Sequence, residues 1–97
     1  MPQFLILADD FIDDDALTRR MAARQQHLDR MAIEKAKGNF EVGGAKLNDQ
    51  GKMFGSMLVI NAENEAAAKE WIDEDPYVKG NVWDKIIIIP FRVANVQ

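Results

Sequence analysis

The sequence contains no cysteine and a single histidine, His27. The absence of cysteine excludes disulfides, thiolate metal ligands and cysteine nucleophiles, and it is typical of a reducing compartment. One histidine is too few for a histidine-rich zinc site. No apolar run approaches the roughly 18 residues of a membrane span, and Met1-Pro2-Gln3-Phe4 shows no basic segment leading into an apolar one. We therefore expect a cytoplasmic protein with no secretory signal and no membrane contact.

Basic residues are also few, with 12 Lys and Arg against 16 Asp and Glu, for a net charge of −4. Contact with a phosphate backbone needs a dense basic surface, so we expect no nucleic-acid partner. The 97 residues are 47% hydrophobic and 29% charged, which is the composition of a globular chain. We predict one domain over residues 1–97, large enough for a single core.

Five aspartates lie between Asp9 and Asp15, with two apolar residues among them. A calcium loop needs acids at alternate positions, a central glycine and a closing glutamate, and none of these is present. The more economical interpretation is that Asp13, Asp14 or Asp15 caps the helix that follows and complements its dipole.

The hydrophobic pattern predicts strands over residues 4–8, 40–47, 53–60 and 82–91, and helices over residues 16–37 and 61–75. Gly38 is suited to end the first helix, and Asn64 or Asn61 to begin the second. Pro76 ends the second helix and holds Asp75 in an extended conformation. The order βαββαβ predicts an α+β, ferredoxin-like domain with two helices on one face of a four-stranded antiparallel sheet.

The first helix has an apolar stripe that we expect to face the core. Its members recur at helical spacing: Leu17, Met21, Leu28, Met31 and the stem of Lys35. A second line runs along the edge of this stripe and contains Arg20, Arg24, His27 and Met31.

The strands are apolar on both faces, although two helices can cover only one face of a sheet. Strand one offers Phe4 and Ile6 on one side and Leu5 and Leu7 on the other, and the fourth strand contains the run 86–89 of four isoleucines. Leaving large aliphatic side chains in water forfeits about 1.5–3 kcal/mol each. We therefore predict a homodimer with the sheets packed face to face, the alternative being a monomer with an exposed apolar sheet.

Few polar groups are available for a site, and His27 and Asp75 are the strongest pair. In a split βαβ fold their helices lie side by side, so Asp75 can accept a hydrogen bond from one imidazole nitrogen and leave the other as a base. Arg24, one turn before His27, would oppose imidazole protonation and offer a clamp for a substrate anion. From the residues alone, a solvated or structural histidine remains the competing interpretation.

The chain resembles the YciI-like (YCII-related domain) family along its whole length. The motifs that carry the resemblance are Arg24-x-x-His27-Leu28, Gly38, Gly43-Gly44, Gly55-Ser56, Ala67 to Trp71, Asp75-Pro76-Tyr77 and Pro90-Phe91. The resemblance implies a ferredoxin-like domain that dimerises as an α+β barrel. It also implies an active-site His–Asp pair at His27 and Asp75, with Arg24, Ser56 and Tyr77 near the same cleft as substrate contacts.

The chain departs from the family pattern at two positions. Asn81 stands where the family commonly has glycine, and asparagine tolerates the left-handed turn expected there. Ala45 stands where a proline often follows the glycine of the second strand, which affects the shape of the pocket.

The resulting hypothesis is a small dimeric enzyme that carries out general acid–base chemistry without metal or organic cofactor. It would act as an isomerase or lyase on a small, cyclic or aromatic, anionic molecule, by analogy of fold with muconolactone-isomerase-type barrels. His27 would be the base and Asp75 its orienting partner. The alternatives are a non-catalytic small-molecule-binding or accessory dimerisation module, and an oxygen-using monooxygenase of the dimeric-barrel type.

Overall fold

The computed structural model describes residues 1–96 and contains four strands and three helices. In chain order these are β1 (Gln3–Asp10), α1 (Ala16–Lys37), β2 (Phe40–Leu47), β3 (Met53–Asn61), α2 (Glu65–Asp73), α3 (Pro76–Lys79) and β4 (Trp83–Phe91). The strands form one antiparallel sheet in the order β2-β3-β1-β4. The predicted ferredoxin-like α+β fold is therefore confirmed.

One face of the sheet is buried beneath the helices. Alternate residues of β1 face the helices, and Ile6, which is fully buried, lies opposite Leu58 of β3 and Ile88 of β4. The same face takes in Phe4 and Ala8 of β1, together with Ile72 from α2, in the hydrophobic core. This arrangement brings polar residues at the inward positions of the strands directly beneath α1.

The opposite face of the sheet is also apolar. Leu5 of β1 lies between Val59 and Ile89, and Leu7 lies between Met57 and Ile87. In the part of the chain that the structure describes, the helices lie on the other side of the sheet, so Ile87 remains 55% exposed.

Helix α1 has the predicted bounds, but its predicted side-chain cap is wrong. Gly38 ends the helix in the left-handed conformation, at φ 84°. Asp15 precedes the first turn without a capping hydrogen bond from its side chain, and the Ala16 N–H donates to the backbone oxygen of Asp13 instead. The Asp13 carboxylate is occupied by two hydrogen bonds from Arg19, which lowers the Asp13 pKa to about 2.

The prediction that the apolar stripe of α1 faces the core is wrong for most of its length. Leu17, Met21 and Leu28 are 40–52% exposed. The buried line of the helix consists instead of Ala16, Arg20, His27, Met31 and Glu34. The polar members of this line form hydrogen bonds with residues outside α1, so their burial leaves few hydrogen-bonding groups unsatisfied.

The predicted second helix is two helices separated at Asp75. The Asn64 side chain caps α2 by accepting a hydrogen bond from the Ala67 N–H at 2.8 Å. Asp75 is extended, as predicted, but Pro76 begins the short helix α3 and does not merely end α2. Proline suits the first helical position because an N–H at that position has no intrahelical acceptor, so the missing N–H of proline costs no hydrogen bond.

The turn before β4 contains Asn81 in the left-handed conformation, at φ 56°, as expected from the sequence. Within residues 1–96, no helix is both long and apolar enough to span a membrane.

Candidate active site

His27 and Asp75 meet at the centre of the helix layer. His27 lies on the inward line of α1, and Asp75 occupies the junction between α2 and α3. Their atoms Nδ1 and Oδ1 are 2.8 Å apart, and the Asp75 side chain is fully buried. The two residues are 48 positions apart in the chain, so the contact depends on the packing of α1 against α3.

The Asp75 carboxylate is fixed by two further donors. Oδ1 also accepts the Tyr77 N–H at 2.9 Å, which makes Asp75 the cap of α3. Oδ2 accepts a hydrogen bond from Arg30 Nη1 at 2.9 Å. Arg30 is itself held, because Nη2 donates to the Trp71 backbone oxygen at 2.6 Å and the guanidinium lies 4.2 Å from the centre of the indole ring.

These partners determine which imidazole nitrogen is available for chemistry. A carboxylate paired with Arg30 and a backbone N–H is an acceptor, so Nδ1 of His27 carries the hydrogen that it donates to Asp75. In the neutral imidazole, Nε2 then holds the lone pair, and no hydrogen bond within residues 1–96 engages Nε2. Chemically, a histidine and a carboxylate in this arrangement can serve as a general base and its orienting partner.

Two aromatic rings fix the plane of the imidazole. Tyr77 stacks on His27 with centroids 4.1 Å apart and an interplanar angle of 17°. Trp83 meets the imidazole edge-on at 5.9 Å. The ring of His27 is thus held by a hydrogen bond at one edge and by packing on its faces, which leaves little rotational freedom.

A cavity of about 200 Å³ lies beside His27, between α1 and strands β2 and β3. An apolar cavity of about 150 Å³ is known to accept benzene, so this volume suits a single substituted ring. Its polar lining comes from Arg20, Arg24, His27, Ser56 and Tyr77, and its apolar lining from Leu28, Met31, Phe40, Met53, Met57 and Leu58.

Glycine lets β2 form one wall of this cavity at close range. A Cβ atom on Gly43 would lie 2.7 Å from the Met57 backbone oxygen and 3.1 Å from the Phe40 ring. Any larger residue would have to push the wall or Phe40 aside.

The floor of the cavity contains a second buried polar group. Arg20 Nη1 donates to both carboxylate oxygens of Asp10, at 2.9 and 3.0 Å. Arg20 Nη2 donates to Ser56 Oγ at 2.9 Å, and Trp83 Nε1 donates to the same oxygen at 3.1 Å. Burial raises the pKa of Asp10, and Arg20 offsets only part of that effect.

The remaining predicted contacts also border the cavity. Arg24 is exposed, and no hydrogen bond among the described residues engages its guanidinium. The Tyr77 hydroxyl likewise has no hydrogen-bond partner within residues 1–96, and its oxygen is not fully buried, because Tyr77 lines the cavity. Burial raises the Tyr77 pKa against the smaller effects of Arg20 and Arg24, which keeps the hydroxyl protonated.

Sequence reasoning missed four residues of the site: Asp10, Arg20, Arg30 and Trp83. Two of them carried a usable signal, because Arg20 precedes His27 by seven residues on one helix face and Arg30 follows it by three. Asp10 continues the inward alternation of β1, but the predicted strand ended at residue 8, so Asp10 counted only as a member of the aspartate cluster. Within residues 1–96, no three His, Cys, Asp or Glu side chains are grouped so as to hold a metal ion.

The fold and the site together define a small ferredoxin-like α+β domain with a histidine–aspartate pair beside a ring-sized cavity. The chain belongs to the YCII-related domain family, whose model matches residues 3–92. An uncharacterised protein of Haemophilus influenzae (strain Rd) is 32% identical over 95 residues, covering 92% of this chain and 95% of that protein. The protein YciI of Escherichia coli O6:H1 is 31% identical over 84 residues, covering 80% of this chain and 86% of its own.

Two solved structures are informative. The chlorohydroxyhydroquinone dehydrochlorinase TftG of Burkholderia phenoliruptrix AC1100, solved in complex with 2,5-dihydroxybenzoquinone, superposes with a TM-score of 0.79 at 26% identity over 95% of both chains. A dimeric ferredoxin-like protein of unknown function from Jannaschia sp. CCS1 has a TM-score of 0.54 at 15% identity, over 96% of this chain and 100% of its own. At that identity, the second likeness concerns the fold alone.

Proposed function

We propose that this protein is a small-molecule enzyme in which His27 acts as a general base on a small, hydroxylated ring. The observation that carries the proposal is the 2.8 Å contact between His27 Nδ1 and the buried Asp75, which leaves Nε2 as the unpaired nitrogen beside the cavity. Positioned general bases typically contribute about 10²–10⁴-fold to a rate. The burial of both the carboxylate and the imidazole supports this proposal over a solvated histidine.

The surrounding groups fit an anionic or oxygen-rich substrate. Arg24 has a charge that no described residue neutralises by hydrogen bonding, and it borders the cavity where a ligand oxygen would enter. The protonated Tyr77 hydroxyl offers a donor next to the imidazole. The walls formed by Met31, Phe40 and Leu58 suit the faces of a flat ring.

The reaction class that we favour is elimination. His27 Nε2 takes a proton from the substrate, and the electron pair left behind forms a double bond and expels an anionic leaving group. TftG supports this choice because it is a dehydrochlorinase and was solved with a dihydroxybenzoquinone. Isomerisation uses the same base, with the proton returned from the imidazolium to another atom of the substrate.

We also propose that the protein works as a homodimer whose sheets pack face to face. The support is the apolar outer face of the sheet, in which the rows Leu5–Val59–Ile89 and Leu7–Met57–Ile87 lie side by side. Burying such a face recovers roughly 25 cal/mol for each Å² of apolar surface removed from water.

Turnover assays on matched variants test the role of His27. With 5-chloro-2-hydroxyhydroquinone as the probe, we expect chloride release by the wild type and a loss of about 10²–10⁴-fold in His27→Ala. Asp75→Asn should lose activity as well, because an amide can present its NH₂ to Nδ1 and reverse the tautomer. Gln26→Ala, a neighbouring exposed substitution outside the cavity, should retain the wild-type rate.

Two outcomes would contradict this assignment. Full activity in His27→Ala would remove the histidine from the chemistry. A wild type that binds the ring and releases no chloride, and leaves its ring protons unexchanged with deuterated solvent, would be a binding module and not an enzyme.

A further inference from the structure

The buried group beneath the cavity determines which way the Ser56 hydroxyl points. Ser56 and Arg20 are each 2% exposed, and Trp83 is 4% exposed. Ser56 Oγ receives one hydrogen bond from Arg20 Nη2 at 2.9 Å and another from Trp83 Nε1 at 3.1 Å. Guanidinium and indole N–H groups can only donate, so both lone pairs of this hydroxyl are in use.

The hydroxyl hydrogen must then occupy the remaining tetrahedral direction. Among the described residues, Ser56 Oγ takes part in hydrogen bonds only as an acceptor. Ser56 also lines the cavity that His27 borders. No described residue accepts this hydrogen, so an acceptor can reach it from the cavity that Ser56 borders, either as a ligand oxygen or as a water.

The same group polarises this O–H bond. Arg20 is held in place by Asp10, which accepts twice from Nη1. Arg20 Nε is buried and has no partner among the described residues, so the guanidinium is not saturated by its acceptors. A cation fixed behind the oxygen makes its hydrogen a stronger donor, as in other charge-assisted hydrogen bonds.

We propose that Ser56 is the oxyanion contact of the site, and that Arg20 and Trp83 are positioning residues that restrict it to donation. The substrate class is thereby narrowed to rings that present a carbonyl or ionised oxygen to Ser56. This inference rests on the proposed function.

The chemical step follows from the two cavity groups. On the keto form of a hydroxylated ring, His27 Nε2 takes a proton from the carbon next to the carbonyl carbon. The electron pair forms a carbon–carbon double bond as the carbonyl oxygen becomes an oxyanion. Ser56 donates its hydrogen bond to that oxyanion. When the carbonyl forms again, the electron pair expels the anionic leaving group or takes the proton back from the imidazolium at a new position.

The binding test compares two probes under the same conditions. The first, 2,5-dihydroxybenzoquinone, offers carbonyl and ionised oxygens at neutral pH, whereas the second, resorcinol, offers hydroxyl donors on a ring of similar size. Hydrogen bonds to charged groups contribute about 1.5–3 kcal/mol, so Ser56→Ala should weaken quinone binding by roughly 10–100-fold. Resorcinol binding should change less than about threefold, since it gains little from a donor.

Trp83→Phe tests the positioning role separately. This substitution keeps a ring against His27 and Tyr77 but frees one lone pair of Ser56 Oγ. The hydroxyl can then accept as well as donate, so the quinone-to-resorcinol preference should fall while the protein stays folded. A purely structural role for Trp83 would weaken both probes equally.

A ligand-free crystal structure provides a second measurement that needs no probe. We expect an ordered water in the cavity within hydrogen-bond distance of Ser56 Oγ as its third neighbour. A protein acceptor in that position, or equal quinone binding by wild type and Ser56→Ala, would overturn the inference. Either result would leave the His27 proposal standing, because chloride release in the His27 variants tests that proposal independently.

Discussion

Replacing Arg30 by methionine should destabilise the protein severely, even though Arg30 lies at the edge of the helix layer. Its guanidinium pairs with Asp75 Oδ2 at 2.9 Å, and the Asp75 side chain is fully buried while Arg30 is 18% exposed. Methionine can replace much of the packing of the stem but leaves the carboxylate without its cation.

The size of the effect follows from these contacts. Removing one partner of a buried ion pair typically costs about 3–5 kcal/mol. Tyr77 N–H and His27 Nδ1 continue to bind the carboxylate, which places the cost near the lower limit. The lost cation–π contact with Trp71 adds about 0.5–1 kcal/mol. The two terms together give a loss of roughly 3.5–4 kcal/mol, a large share of the 5–15 kcal/mol that stabilises an ordinary domain.

Urea unfolding followed by circular dichroism provides the assay, at one fixed protein concentration because association also stabilises folded chains. In a parallel thermal scan the midpoint temperature should fall by about 14–32 °C, since 1 kcal/mol corresponds to about 4–8 °C in a domain of this size. Arg24→Met is the matched control on the same helix, because no hydrogen bond among the described residues engages Arg24, and its midpoint should stay near that of the wild type.

A double variant separates charge from packing. Adding Asp75→Asn to Arg30→Met removes the unpaired carboxylate, so the double variant should be more stable than Arg30→Met alone. The reasoning is refuted if Arg30→Met unfolds within about 1 kcal/mol of Arg24→Met, or if the second substitution only adds further destabilisation.

Three further predictions concern acid stability, the turn before β4 and association. Burial alone would raise the Glu34 pKa, but hydrogen bonds from Trp71, Asn39 and Lys37 outweigh burial and lower the pKa below its ordinary 4.5. The folded state is therefore stabilised by the ionised carboxylate. In acid titrations, wild-type stability should fall more steeply than that of Glu34→Gln as the pH drops below about 4.5. Asn81→Val should cost about 1–2 kcal/mol in urea unfolding, with Asn81→Gly near neutral, because φ is 56° there. Ile87→Lys should halve the mass measured by light scattering, whereas Ile12→Lys, on a fully exposed loop residue, should not; a monomeric wild type would refute the dimer.

The fold was predictable because its signals are local. Apolar runs located the four strands, and Gly38 marked the end of α1 through its freedom to adopt the left-handed conformation. Pro76 was a correct sign of a break after Asp75, although one sequence could not tell a simple stop from the start of another short helix.

The orientation of α1 was not predictable in the same way. Hydrophobic periodicity assumes that the apolar face of a helix points inward, and by that rule Leu17 and Met21 belong in the core. The helix instead buries Arg20 and His27, whose partners Asp10 and Asp75 lie 10 and 48 residues away in the chain. Hydrogen bonds between such distant residues produce no periodic pattern in the sequence. Hydrophobic periodicity therefore places the line that contains Arg20 and His27 at the edge of the apolar stripe and not at its centre.

The small number of polar candidates already pointed to His27, Asp75 and Arg24, and the family resemblance favoured an active-site pair over a structural histidine. The resemblance also added Ser56 and Tyr77, which border the same cavity as Arg24. The roles assigned to these five residues stay predictions until the variants are measured.

The double contact of one Asp75 oxygen affects how this residue can change during evolution. The oxygen that accepts from His27 also accepts from the Tyr77 N–H and so begins α3. In a descendant that had lost its activity, this side chain would still cap α3 and pair with Arg30, so selection for stability alone would favour keeping it. Arg24 and the Tyr77 hydroxyl have no such duty within residues 1–96, so they are free to drift first. Their presence or loss is therefore a better marker of active and inactive relatives than the histidine–aspartate pair itself.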